Sequence, residues 1–307
     1  MNVFQNIRNE LKKNIVGMDG VIRDLFMCLI SNEHILIEGL PGLAKTTMAK
    51  SFAKCINLKF SRIQGTPDLI PSDLTGGDIY KLQSGTFEFM EGPLFANLVL
   101  VDEINRMSPK TQSALLESME ENSITVGKKT YNLPKPFIVI ATQNPVEFEG
   151  TYSLPVAQLD RFMMKLSLDY LDEEDELNVL KLKTMEIEEE VKPIVNKEIL
   201  NSICDEVKKI HVSLPILTYI RDIVVATRKD DRITLGASTR AGVHLLKVAR
   251  AHAYLDGRTY VIPDDVKNNV LKVLSHRLVV DYEEESSTEE ILKDIVNNVE
   301  VPKGDFR

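Results

Sequence analysis

The sequence predicts an α/β protein, a parallel sheet with helices on both faces, followed by a smaller all-helical domain. Three observations carry that expectation. Apolar strand-like runs alternate with helix-like runs through the first half of the chain, the βαβα rhythm of a parallel sheet. A glycine loop, Gly39-Leu40-Pro41-Gly42-Leu43-Ala44-Lys45-Thr46, lies between the apolar run His34–Glu38 and the helix-like run Thr46–Cys55. Beyond a charged stretch at Asp172–Lys197 the strand-like runs give way to helical periodicity.

The elements follow in order. Leu58–Ile63 reads as a short strand. Asn97–Asp102 is almost continuously apolar, as a strand buried on both faces must be. Ser108-Pro109 opens a helix, with serine suited to the cap and proline to the first turn. Phe137–Ala141 and Met163–Leu168 are two more strands, and Pro155–Arg161 is a short helix. Two hairpins are inserted: Ile79–Phe89 about Ser84-Gly85, and Ser123–Asn132 about Gly127-Lys128. Surface decoration and contact with a substrate are both open for them. The later helices are expected at Leu200–Ile210, Ile216–Arg228, Thr239–Tyr254, Asp264–Leu274 and Thr288–Asn298, with Pro215 and Pro263 near helix starts. The expected division is 1–170 for the α/β core, 171–197 for a charged linker or helix and 198–307 for the helical domain.

Composition narrows the function. The formal charge of −9 argues against non-specific nucleic-acid binding, which needs a basic surface. The 3 cysteines, Cys28, Cys55 and Cys204, are far apart and without a CxxC, so neither a disulfide framework nor a zinc ribbon is expected. Each lies in an apolar helical run and reads as a buried thiol in a reducing, cytoplasmic setting. No apolar run approaches a membrane span, and the N-terminus lacks the pattern of a signal peptide. The acidic runs Glu173–Glu176 and Glu186–Glu190 read as solvated helix faces. Of the histidines, His211, His244, His252 and His276 read as helix residues rather than metal ligands.

The glycine loop carries the chemistry. Strand, glycine loop, Lys-Thr and helix form a phosphate-binding layout: backbone N–H groups turn toward an anion and the helix points its positive end at it. Lys45 can reach outer phosphates and the Thr46 hydroxyl can ligate Mg²⁺. Ala44 stands where the last glycine is usual, so the loop is either right-handed there or slightly strained. The strand Leu98–Asp102 ends in two carboxylates. Asp102 is placed to hold Mg²⁺, directly or through water, and Glu103 to orient and deprotonate a water. Asn144, after another buried strand, is either a turn residue before Pro145 or a hydrogen-bond donor to a γ-phosphate or attacking water. Arg161 ends a short helix, where a cation suits the dipole, or serves as an arginine finger. Arg240, in the first turn of a helix capped by Ser238, opposes the dipole and implies an anion nearby, a nucleotide phosphate or a carboxylate.

These residues, with Thr66–Gly76, Gly92–Asn97, Asp102-Glu-Ile-Asn-Arg106, Thr142-Gln-Asn-Pro145, Glu149–Pro155, Ala157–Phe162 and Gly236–Arg240, make the chain resemble the MoxR family of AAA+ ATPases over nearly its whole length. Departures are small: Val156 stands where the family often has Glu, and Thr239 where it often has Pro. The resemblance implies an AAA+ core with a helical lid. It makes Lys45 and Thr46 the Walker A pair, Asp102 and Glu103 the Walker B pair, Asn144 sensor 1, Arg161 the finger and Arg240 sensor 2. It implies an ATP site made of Val16, Gly17, Gly39, Leu40, Pro41, Gly42, Leu43, Ala44, Lys45, Thr46 and Thr47, with Mg²⁺ on Thr46 and Asp102. The hairpins become the helix-2 insert and the pre-sensor-1 hairpin. The implied function is ATP hydrolysis in a homo-oligomeric ring, expected to be a hexamer. The ring would remodel or activate client proteins with a von Willebrand factor A domain partner. A motor subunit of a metal chelatase and a non-hydrolysing switch are the alternatives, and a nucleic-acid motor fits the charge poorly.

Overall fold

The computed structural model describes residues 3–40, 43–82, 85–145, 150–184 and 190–306. Pro41, Gly42, Ser84, Glu149 and the acidic positions Glu186, Glu188 and Glu189 lie outside the described residues. The chain divides into two compact units. The first comprises Met1–Arg23, Asn32–Ser153 and Ser167–Lys197, and the second Asp24–Ser31, Leu154–Leu166 and Glu198–Arg307.

Eleven strands occur among the described residues: β1 (Ile35–Gly39), β2 (Phe60–Gln64), β3 (Gly76–Lys81), β4 (Thr86–Glu91), β5 (Leu98–Asp102), β6 (Ser123–Val126), β7 (Lys129–Asn132), β8 (Ile138–Gln143), β9 (Met164–Leu168), β10 (Ile233–Leu235) and β11 (Val279–Val280). The five-stranded sheet has the order β2-β5-β8-β1-β9. The β2–β5, β5–β8 and β8–β1 pairs are parallel. Every residue of β5 is buried, as are Ile35, Leu36 and Ile37 of β1 and residues 138–142 of β8. Central parallel strands are covered on both faces, which is why these runs are aliphatic without alternation. The edge strand β2 instead carries Arg62 and Gln64, two residues apart and so on one face. Because β1, β5 and β8 run parallel, Gly39, Asp102 and Gln143 end on the same side of the sheet.

The helix Lys45–Cys55 follows β1. The helix Pro109–Glu121 starts as read: the Ser108 hydroxyl accepts from Thr111 N–H at 3.3 Å, with proline in the first turn. Both hairpins are present, β3 with β4 and β6 with β7. The rings of Phe89 and Tyr131 stack between them at 4.1 Å.

The second unit departs from the all-helical expectation. Its main helices are Lys197–Lys209, Leu214–Thr227, Thr239–Leu255 and Thr288–Asn298, but β10 and β11 form an antiparallel ribbon between them. The runs Ile233–Leu235 and Val279–Val280 are too short to display a period of two. The helix expected over Asp264–Leu274 is two, Pro263–Lys267 and Val270–Leu274. Buried Asn269 donates its side-chain amide to Asp265 C=O at 2.8 Å, a local bond that competes with helical backbone pairing. His244 and His252 are helical, whereas His211 forms an isolated bridge with Tyr260 and His276 lies in a 3₁₀ turn, Ser275–Arg277. Cys28 and Cys55 are buried, while Cys204 is only half-buried. No helix among the described residues is long and apolar enough to cross a membrane.

Candidate active site

A cleft of about 340 Å³ opens at the carboxyl ends of the strands, lined by Leu43–Thr47, Arg62, Gln64, Asp102, Glu103, Thr142 and Asn144. Gly39 ends β1 and Leu40 follows it into the loop. Ala44 caps the helix with φ 50° and ψ 21°, in the left-handed region, so the strained alternative is the observed one. No side chain caps this helix. The N–H groups of its first turn are therefore available to an anion. Lys45 donates from Nζ to Gly39 C=O at 2.7 Å, closing the loop on itself. Burial pulls the Lys45 ammonium below its usual value, and Asp102 and Glu103 pull it back.

Across the cleft Asp102 is buried and receives three donors. Oδ2 accepts from Thr46 Oγ1 at 3.2 Å and from Arg62 Nε at 2.8 Å, and Oδ1 accepts from Thr142 Oγ1 at 3.3 Å. Thr142 Oγ1 in turn accepts from Glu103 N–H at 3.0 Å, tying β8 to both carboxylate residues. Glu103 has φ 57° and ψ 53°, again left-handed. Its carboxylate accepts from Gln64 Nε2 at 2.9 Å and from Arg106 at 3.5 Å. Gly65 makes this closeness possible: its N–H donates to Asp102 C=O at 2.7 Å, and a Cβ there would lie 2.2 Å from Glu103 C=O.

The sequence-derived residues therefore fall into three groups. Leu43, Ala44, Lys45, Thr46, Thr47, Asp102, Glu103 and Asn144 share the cleft. Val16 and Gly17 are outside that lining, in a bend before the helix Asp19–Ser31. Gly17 has φ +72°, and a Cβ on it would lie 2.5 Å from Leu171 and 2.6 Å from Asp175, so glycine is required there. Arg161, half-buried, and Arg240, exposed, belong to the second unit. Arg161 follows the short helix Val156–Leu159, and Arg240 lies in the first turn of Thr239–Leu255, whose cap Ser238 accepts from Ala241 N–H at 3.2 Å.

Sequence reading missed Arg62, Gln64 and Thr142 as parts of the site. The signal was faint: two long polar side chains on one face of an edge strand, and a threonine inside a strand otherwise apolar up to its end.

Oxygen donors at Thr46 and Asp102, 3.2 Å apart beneath a phosphate-type loop, suit Mg²⁺, which prefers oxygen ligands and keeps positions for water and phosphate. The cleft residues thus fit a nucleotide with its metal.

Comparison with known proteins identifies the family. Residues 34–164 match the ATPase family associated with various cellular activities (AAA), and residues 225–295 match the AAA lid domain. YeaC of Bacillus subtilis, an uncharacterized protein, is 46% identical over 297 residues, covering 95% of this chain and 92% of that one. Chaperone MoxR1 of Mycobacterium tuberculosis is 38% identical over 306 residues, covering 96% of this chain and 81% of that one. A crystal structure from Cytophaga hutchinsonii superposes with a TM-score of 0.92 at 43% identity, covering 98% of this chain and 96% of that one. With its phosphate-type loop, paired carboxylates and lid, the chain belongs to the MoxR family of AAA+ ATPases.

Proposed function

We propose that the chain hydrolyses ATP with Mg²⁺ in this cleft, in an oligomeric ring that works as a chaperone on client proteins. The supporting observation is the meeting of Thr46, Asp102 and Glu103 across the mouth of the glycine loop. The first-turn N–H groups and Lys45 hold the phosphates. Thr46 and Asp102 would hold Mg²⁺, which when bound would supply positive charge to the phosphates. Glu103 orients a water and takes its proton as the water oxygen bonds to the γ-phosphorus and the bond to the β-phosphate oxygen breaks, releasing ADP and phosphate. Gln64 donates to Glu103 Oε2, and a carboxylate has two acceptor oxygens, so Oε1 can take that water while the Gln64 bond is kept. Asn144 hydrogen-bonds the γ-phosphate or the attacking water.

On this reading 1–170 form the catalytic core and 198–307 the lid. Arg161 is a finger for the site of a neighbouring copy, and Arg240 answers to a nucleotide phosphate. A finger supplied between copies requires head-to-tail contacts, which close into a ring when the rotation permits. The chaperone role is supported by likeness to chaperone MoxR1. The von Willebrand factor A domain partner and the hexamer rest on the family resemblance.

The direct test is Glu103→Gln, which keeps the hydrogen bonds and removes the base. Steady-state phosphate release should fall about 10²–10⁴-fold with ATP binding retained. Unchanged turnover would remove Glu103 from the mechanism.

A further inference from the structure

The segment that carries Arg161 is held by a network its sequence does not announce. The Arg277 side chain is 1% exposed. Its Nε donates to Asp160 Oδ1 at 2.8 Å, and its other nitrogens donate to Asp160 C=O at 3.2 Å, Met163 C=O at 3.3 Å, Phe162 C=O and Val273 C=O. One guanidinium thereby holds the carbonyl before Arg161 and the two after it. His276 adds a bond to Phe162 C=O at 3.0 Å.

The same pair reaches the helix that carries Arg240. The Ser238 hydroxyl lies 3.0 Å from both Asp160 oxygens while it caps the helix. One turn beyond Arg240, His244 Nδ1 meets Arg277. The helix Thr239–Leu255 is thus tied to the Arg161 segment twice, once through each member of the ion pair. All of these residues belong to the second unit.

Stability alone is a poor account of this arrangement. A buried ion pair is often no more stabilising than well-packed apolar side chains, because desolvation offsets the attraction. Its distinct property is geometry, since a guanidinium presents its donors in a fixed planar fork.

We infer that Asp160 is a positioning residue: clamped by Arg277 and bonded to Ser238, it fixes Arg161 relative to the Arg240 helix so that the two arginines move as one body. The inference rests on the proposed roles of Arg161 and Arg240.

The test is a pair of double-mutant cycles on the full-length chain. Asp160→Asn removes the charge that Arg277 faces. Ser238→Gly leaves the ion pair in place and keeps most of the capping, because glycine caps almost as well as serine. Each is made alone and with Arg161→Ala, and turnover, affinity for a fluorescent ATP analogue and thermal midpoint are measured. Both substitutions should lower kcat about tenfold in the parent chain and less than about twofold in Arg161→Ala, with analogue affinity held, as expected when one residue acts through another. Equal losses in both backgrounds, or a fall in thermal midpoint with kcat unchanged, would make the network merely structural and overturn the inference. If Arg161→Ala alone leaves kcat unchanged, the finger reading fails first and takes the inference with it. If Arg161→Ala lowers kcat while Asp160→Asn and Ser238→Gly do not, only the inference fails.

Discussion

Ala44 and Glu103 occupy backbone conformations that their side chains disfavour. Among the described residues the other non-glycine positions with positive φ are Asn32, Asn57 and Asn122, and asparagine visits this region readily. Ala44 and Glu103 have no such excuse, and both line the cleft. Strain of about 1–3 kcal/mol per residue persists where the surroundings over-determine it, and such places cluster at functional sites. Here the surroundings are specific: Thr142 holds Glu103 N–H, and Gly65 lets β2 press against the same turn. Arg62 adds a second feature, because its guanidinium shares Asp102 Oδ2 with Thr46, where a metal would bring its own charge. Arg62→Ala should therefore tighten Mn²⁺ binding, read by electron paramagnetic resonance with ATP present, by about fivefold, the scale of one repulsion of about 1 kcal/mol at close range in water. Weaker Mn²⁺ binding would instead make Arg62 the residue that holds Asp102 ready. Lys45, Thr46, Asp102 and Glu103 were legible because their spacing follows from phosphate and metal chemistry. Arg62 was not, because a long cation on an edge strand reads the same whether it faces water or a carboxylate.

At the scale of elements, legibility followed the strength of the local pattern. β1, β5 and β8 were readable because central parallel strands admit almost nothing but aliphatic residues. The helix after Ser108-Pro109 and the turn at Gly127-Lys128 were readable from cap and turn chemistry. The β10–β11 ribbon and the break at Asn269 were not, since both are decided by contacts distant in sequence or by one side-chain amide. The 3₁₀ turn Ser275–Arg277 is the sharpest case: two polar residues buried just beyond the expected helix Asp264–Leu274, one of which, His276, reads as helical in the sequence. Burial, and then the Arg277 charge, hold His276 well below its ordinary value of 6.5, with Lys165 and His244 adding to the effect and Phe162 C=O opposing it. The unfolded chain takes up this proton first. His276 therefore contributes fully above pH 6.5, and its contribution is lost as the pH falls below that value. Thermal midpoints measured from pH 7.5 down to about 5 should decline, with one such group limited to about 1.4 kcal/mol per pH unit. His276→Gln, whose amide can still donate to Phe162 C=O, should flatten the decline. An equal slope in the variant would assign the pH dependence to other groups.

At the scale of the whole molecule, the proposed reaction calls on residues of both units. Lys45, Thr46, Asp102, Glu103 and Asn144 lie in the first, and Arg161 and Arg240, whose roles are proposed, lie in the second. The lid match at residues 225–295 includes Arg240, and the ATPase-family match at residues 34–164 includes Arg161. An arginine that completes a neighbour's site makes activity a property of the assembly rather than of the chain. The most direct measurement is ATP turnover against protein concentration, for the parent chain and Arg161→Ala, with mass followed by light scattering. Specific activity should rise as the oligomer forms and collapse in Arg161→Ala with ATP binding retained. A monomer that hydrolyses ATP equally well, indifferent to Arg161→Ala, would contradict the account.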